Sequence, residues 1–171
     1  MPGIIIRLAT HDDAAALPAI ERSAAQAFLA IKGLQWIADD AVMAAAMHQI
    51  YIDESTVWIA LSGSRPIGFV TTAVEDDALH ILELAVEAGL QGQGIGQRLL
   101  ETAKAHAIEQ GLAAMTLTTF RDLPFNEHFY RRLGYQTLQQ AELPERLAAI
   151  LKSEIESGLP GDRRCAMRLD L

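Results

Sequence analysis

One cysteine, Cys165, stands among 171 residues, so an internal disulfide is excluded, and so is a Cys-rich metal cluster. A metal is not expected, and a reducing cytoplasm is the expected home. Long hydrophobic runs are also missing. Charges interrupt every apolar segment before it reaches the roughly 20 residues a membrane span requires. The stretch Met1-Pro2-Gly3-Ile4-Ile5-Ile6-Arg7 has only a short apolar run and no cleavage site, so neither a span nor a signal peptide is expected. Basic clusters are scarce, limited to Arg131-Arg132 and Arg163-Arg164. The net charge of −8 would repel a phosphate backbone, which argues against a nucleic-acid partner. Gly and Pro are not in excess, repeats and low-complexity tracts are absent, and half of the residues are apolar. This is the composition of a globular chain long enough to bury a core, expected as a single domain over residues 1–171.

The apolar pattern alternates between strand and helix signals. Ile4 to Leu8 reads as a strand, followed by Thr10, Asp12 and Asp13, residues that stop a strand and cap a helix. Leu17, Ile20, Ala24 and Phe28 then recur at helical spacing. Asp39-Asp40 precede an Ala- and Met-rich run to Ile50 and suit a helix N-terminus. Val57 to Leu61 and Ile67 to Val74 flank a turn signal and predict two antiparallel strands. Leu79 to Val86 is almost continuously apolar, as a central strand would be. Ile95, Leu99, Ala103 and Ala107 form a helical stripe that Gly111 ends. A strand over Met115 to Thr119, a helix over Phe125 to Leu133, a strand restarting at Tyr135, a helix over Pro144 to Glu156 and a strand over Cys165 to Leu169 complete a mixed α/β order.

The most informative segment runs from Leu82 to Gly111: a strand, then Gln91-Gly92-Gln93-Gly94-Ile95-Gly96, then an amphipathic helix. Glycines allow left-handed backbone and close approach, so successive N–H groups point into one concavity. The helix that starts there adds its positive N-terminal field, a combination suited to phosphate. No Lys-Ser or Lys-Thr follows, so the nucleotide triphosphatase loop is absent, and the spacing lacks the last interval of the dinucleotide fingerprint. The competing explanation is a tight strand-to-helix turn without a ligand.

Gln91-x-x-Gly94-x-Gly96, placed between the strand Leu84-Ala85-Val86 and a helix, resembles the acyl-CoA pyrophosphate loop of the GNAT superfamily of N-acetyltransferases. Downstream, Asn126-Glu127-His128-Phe129-Tyr130-Arg131-Arg132-Leu133-Gly134-Tyr135 resembles the second signature of that superfamily. The order of elements is similar to that fold over nearly the whole chain, with Pro144 to Glu156 as its least typical part. The resemblance implies a mostly antiparallel central sheet flanked by helices, with acetyl-CoA as co-substrate. Backbone from Gln91 to Gly96 would hold the pyrophosphate, with Gly92, Gln93 and Ile95 inside that loop. Leu84, Ala85 and Val86 would pair with pantetheine amides, and Asn126 would hydrogen-bond the pantetheine arm. It also implies that the central strands splay to admit the cofactor and that Tyr130 lies near the sulfur.

An amine attacks a thioester only when neutral, so a base must take a proton from the ammonium and an acid must serve the departing thiolate. Tyr130 suits the acid, since a phenol with a reference pKa of about 10 is protonated at neutral pH; its alternative is a packed aromatic beside Phe129. Glu83, a carboxylate in an apolar strand, is expected to face a wet cleft and is the first candidate for the base, acting through water. His80 is the second, with a strand-end surface histidine as the alternative. Both can serve only if the strand bulges, because positions three apart point to opposite faces. Arg121-Asp122 read as substrate contacts or as a salt-linked loop, and Phe28, Trp36 and Trp58 as acceptor-pocket lining or core. Cys165 lacks an activating neighbour, so direct transfer to the amine of a small molecule or peptide is expected. A non-catalytic acyl-CoA sensor is the competing class, modification of charged tRNA is disfavoured by the acidic balance, and a homodimer is held as an open expectation.

Overall fold

The computed structural model describes residues 3–171; Met1 and Pro2, where the apolar start begins, lie outside the described residues. Seven strands form a mostly antiparallel sheet in the order β1-β2-β3-β4-β5-β7-β6, flanked by helices. The chain divides into two compact units, the first reaching Ala73 and resuming over Leu82–His106, the second formed by Val74–Ile81 and Ala107–Leu171.

In the first unit β1 (Ile4–Leu8) leads into a 3-10 segment, His11–Ala16, and then into α1 (Leu17–Ala24). The expected stop at Thr10 is a capping box closed by Asp13, which also takes a two-pronged contact from Arg7 at 2.7 and 3.1 Å. The Arg7 guanidinium holds the Asp13 carboxyl below its usual range. The helical stripe does not continue to Phe28, because Ala25–Ala30 tightens into a 3-10 segment whose Gln26 Nε2 donates to Ala38 O at 3.4 Å. Nor do Asp39 and Asp40 open a helix. They end the 3-10 segment Gln35–Asp39, and α2 (Ala45–Asp53) starts later, from the extended backbone of Ala44.

Two further strands, β2 (Val57–Ser62) and β3 (Arg65–Glu75), pair antiparallel with a register shift between Ala60 and Leu61, which accommodates Pro66. Next comes β4 (Ala78–Val86), buried from Ala78 to Ile81 and half-buried over Leu82, Glu83 and Leu84. α3 (Ile95–Glu109) follows the glycine loop. The core of this unit joins Leu17 and Ile20 of α1, Ile52 of α2, Ile59 of β2, Phe69 of β3 and Ala85 of β4. Ala85 therefore faces α1 and α2, and Glu83, two residues earlier on the same strand, shares that face. Gly68 is required where a Cβ would come within 3.1 Å of Ala85 O.

In the second unit β4 and β5 (Ala114–Phe120) run parallel through the pairs Ala78–Ala114, Leu79–Met115 and His80–Thr116. α4 (Glu127–Arg132), the two-residue β6 (Gln136–Thr137), α5 (Glu145–Glu156) and β7 (Arg164–Asp170) complete it, β7 pairing antiparallel with β5 along its whole length. Met115, Leu117, Leu147 and Met167 are fully buried here. Helix α5, the part least typical by sequence, is fastened by a largely buried ion pair. Glu154 takes two contacts from Arg164 at 3.1 and 3.0 Å and a third from Thr118 Oγ1 at 2.6 Å. Arg164 in turn lies 4.5 Å over the Phe120 ring.

Removing one partner of such a pair leaves a charge buried without compensation. Glu154→Leu is therefore expected to lower the unfolding free energy by about 3 kcal/mol, measured by urea denaturation, and a change under 1 kcal/mol, as for an exposed pair, would refute the fastening role.

Candidate active site

The loop after β4 is built as its sequence implied. Gly92 and Gly94 take φ of +80° and +84°, and a Cβ at either would meet nothing within 4 Å, so conformation and not crowding requires glycine there. Gln91 through Gly94 are exposed, and Gln91 Nε2 folds back to donate to Val86 O at 2.9 Å, tying the loop to the end of its strand. α3 then begins at Ile95, with Arg98 N donating to Gly94 O at 3.1 Å. The N–H groups of its first turn have no partner within the helix and follow directly on the two left-handed glycines.

Glu83 is half-buried on β4 and is among the groups that act on the Glu21 carboxyl of α1. Glu21 also accepts from Met43 N at 3.2 Å, and burial pushes its carboxyl above the ordinary range. Sequence reasoning missed Glu21, although the signal was present: it lies four residues after Leu17 and three before Ala24, on the buried stripe of α1.

In the second unit, His80 is not the surface histidine of the alternative reading. It is 3% exposed; its Nδ1 lies 2.9 Å from Thr116 Oγ1 and 3.3 Å from Arg146, which also donates to Thr116 at 3.1 Å. Burial, with Arg146 as a smaller cause, pushes its pKa down to about 4, so the imidazole is neutral at physiological pH. Arg146, from a helix to which the sequence assigned no role, had no signal of its own.

Asn126, just ahead of α4, donates through Nδ2 to Thr119 Oγ1 at 2.9 Å, while its Oδ1 is buried without a hydrogen-bond partner. An orphaned buried acceptor suits a ligand N–H. Tyr130 is 7% exposed and packs edge-on against Phe129 and Tyr135, with ring centroids 5.1 and 5.5 Å away. Glu127, also missed, is buried and accepts from Asp122 N at 2.7 Å, Thr137 Oγ1 at 2.6 Å and Arg131 at 3.0 Å, clamping the start of α4 to β6. Asp122, at φ +60°, pairs with His128, and Arg121 Nε donates to Arg164 O at 2.9 Å. Trp58 is core at 4% exposure and Trp36 is exposed at 43%. Cys165 is buried and its thiol is pushed up to about 11, which leaves little thiolate at neutral pH.

Residues 22–135, more than half of the chain, match the model of the acetyltransferase (GNAT) family. The chain belongs to the GNAT family. Its fold is similar to that of a PaiA N-acetyltransferase from Thermoplasma acidophilum in complex with coenzyme A, at TM-score 0.74 and 17% identity over 99% of each chain. It is also similar to N-acetylglutamate synthase from Neisseria gonorrhoeae with coenzyme A and N-acetyl-glutamate, at TM-score 0.70 and 20% identity, covering 100% of this chain and 36% of that one. A third likeness is to the ribosomal-protein-S18-alanine N-acetyltransferase from Escherichia coli, at TM-score 0.65 and 17% identity over 98% and 94% of the two chains. Among this chain's described residues no helix is long and apolar enough to cross a membrane.

His80 carries a pH prediction. Its folded pKa lies below its unfolded one, so the unfolded chain binds the proton first as pH falls, and stability is lost from about 6.5 down to about 4. Acid denaturation of His80→Gln is expected to lack this contribution, about 3 kcal/mol when complete. An unchanged slope between pH 6.5 and 4 would show that His80 titrates normally.

Proposed function

We propose that this GNAT chain is a single-domain N-acetyltransferase that moves an acetyl group from acetyl-CoA to the amine of a small molecule or peptide by direct attack. The observation that carries the proposal is the exposed loop of left-handed glycines at the N-terminus of α3. A doubly charged pyrophosphate gains there from unpaired N–H groups and the helix field together. The orphaned Asn126 Oδ1 supports a second contact, since pantetheine carries amide N–H donors of the kind this acceptor lacks. The β4 edge over Leu84, Ala85 and Val86 is assigned to the same arm. An amine acceptor agrees with the names of the similar structures, one an N-acetylglutamate synthase and one an alanine N-acetyltransferase of a ribosomal protein.

When bound, acetyl-CoA supplies the thioester, and the protein's residues supply position and protons. Gln91 through Gly96 hold the anionic end of the cofactor and fix its reach. Tyr130 donates its phenolic proton to the sulfur as negative charge develops there. Glu83 takes the ammonium proton, directly or through one water. His80 is the second candidate for the base, but it is buried against Thr116 and Arg146 while Glu83 is half-buried, so Glu83 is preferred. Cys165 takes no part, which leaves one transfer and no acyl-enzyme.

Two measurements test the reading. Calorimetric titration is expected to give micromolar binding of acetyl-CoA and CoA and none of NADH; failure of both CoA species would reduce the loop to a turn. With an amine and peptide panel, Tyr130→Phe is expected to lower kcat by about 100-fold with cofactor affinity nearly unchanged, the pattern of a contact made in the transition state. Wild-type kcat in that variant would remove Tyr130 from the mechanism, whereas CoA binding with no turnover of any amine would identify a sensor instead.

A further inference from the structure

Alternate residues of β5 serve different neighbours. Thr116, Thr118 and Phe120 turn to Arg146, Glu154 and Arg164, so Met115, Leu117 and Thr119 lie on the opposite face. That face is apolar until its end. Met115 and Leu117 are buried, Met167 and Cys165 of β7 stand beside Leu117 and Thr119, and Thr119 itself is 3% exposed. A hydroxyl buried in such surroundings needs a partner, and Asn126 supplies it, Nδ2 donating to Thr119 Oγ1 at 2.9 Å. Asn126 occupies the N-cap of α4, where an asparagine ordinarily turns its Oδ1 to the N–H groups of the first helical turn. Here the side chain makes no capping hydrogen bond, and the backbone, at φ −125° and ψ −108°, departs from the extended form usual at that position. The start of α4 is held by other means, His128 N donating to Leu123 O at 3.2 Å and Glu127 taking its three donors. With Nδ2 on Thr119, Asn126 Oδ1 is left buried and unpaired among the described residues.

We propose that Thr119 is a positioning residue that acts through Asn126, holding the amide so that Oδ1 stays available to an N–H of the pantetheine arm instead of capping the helix. The inference rests on the reading that this chain binds acyl-CoA. One end of an asparagine amide only donates and the other only accepts, so a partner on Nδ2 fixes where Oδ1 points. Reversing the amide would bury two unpaired N–H donors in place of one acceptor, which folded proteins tolerate less. Threonine suits the task, because its hydroxyl accepts and its branched side chain is stiff at χ1. The orphaned acceptor costs stability in the free protein, and a ligand N–H recovers that cost on binding. Without the hydroxyl, Oδ1 turns back to the first turn of α4, and the arm has to displace an internal contact before it binds. Thr119 thus acts on the arm and leaves recognition of the phosphates, which have no part in this contact, unchanged.

The test is calorimetric titration of the full chain with CoA and with 3′-phosphoadenosine 5′-diphosphate, which keeps the phosphates and lacks the arm. Thr119→Val, close in volume, is expected to weaken CoA binding about fivefold and to leave the shorter ligand unchanged, with Thr119→Ser restoring CoA affinity. Asn126→Ala is expected to weaken CoA at least as much, and Thr119→Val added to it to cost nothing further, because the threonine acts only through the amide. If Thr119→Val does not fold, Thr119→Ala carries the same expectations. Equal CoA affinity in wild type and Thr119→Val would overturn the proposal while leaving the cofactor reading intact, and so would equal losses for both ligands, the mark of a structural defect. No CoA binding by the wild type would remove the cofactor reading and this inference with it. The ligand-free protein gives an independent check by 1H–15N NMR. The side-chain amide signal of Asn126, identified by its loss in Asn126→Ala, is expected to shift in Thr119→Val and to return in Thr119→Ser. An unmoved signal would show that Thr119 does not hold the amide.

Discussion

Three residue pairs carry the parallel joint between β4 and β5, and much of this protein is arranged around it. A parallel pair cannot be closed by a tight turn; it requires a crossover of a dozen residues or more. Here that crossover contains the glycine loop and α3, so the start of that helix is placed where β4 ends. Ligands of open α/β sheets gather at such strand ends. The joint is dry, with Ala78, Leu79, His80 and their partners on β5 all buried, and its one imidazole is satisfied by Thr116 and Arg146.

Helix α5 shows how an element with no catalytic assignment still shapes a catalytic fold. Arg146 and Glu154 lie two helical turns apart and meet Thr116 and Thr118, alternate residues on one face of β5. Fully buried Leu147 lies beside the first of these anchors. Both polar contacts reach a strand of the central sheet, so the helix is held in register with that strand and not merely laid on it by apolar packing.

Much of this was legible in the sequence, for reasons that differ from place to place. The glycine loop could be read because its conformation needs glycine and because a strand and an amphipathic stripe flank it. The first three strands announced themselves through β-branched runs, and the mostly antiparallel sheet followed from the family resemblance. Boundaries failed where local chemistry had two uses. Asp39 and Asp40 suit a helix start, yet they close a 3-10 segment, and the stripe through Phe28 persists in sequence after the helix has tightened. The site residues that escaped notice are those defined by long-range pairing. Glu21 meets a strand sixty residues away in sequence, and Arg146 reaches back to His80. No spacing rule connects such partners. Glu127 was quoted within a signature but given no role, because its three donors converge only after Asp122 turns left-handed and β6 comes alongside.

The two tryptophans occupy opposite environments within the first unit. Trp58 is sealed in the core with His106 edge-on at 5.1 Å, while Trp36 sits on a short 3-10 segment with much of its ring in water. The intrinsic fluorescence of the protein is thus a sum of two unlike lamps. One emits toward the blue. The other emits toward the red and is open to quenchers in the solvent, so a single spectrum separates events in the core from events at the surface without any added dye.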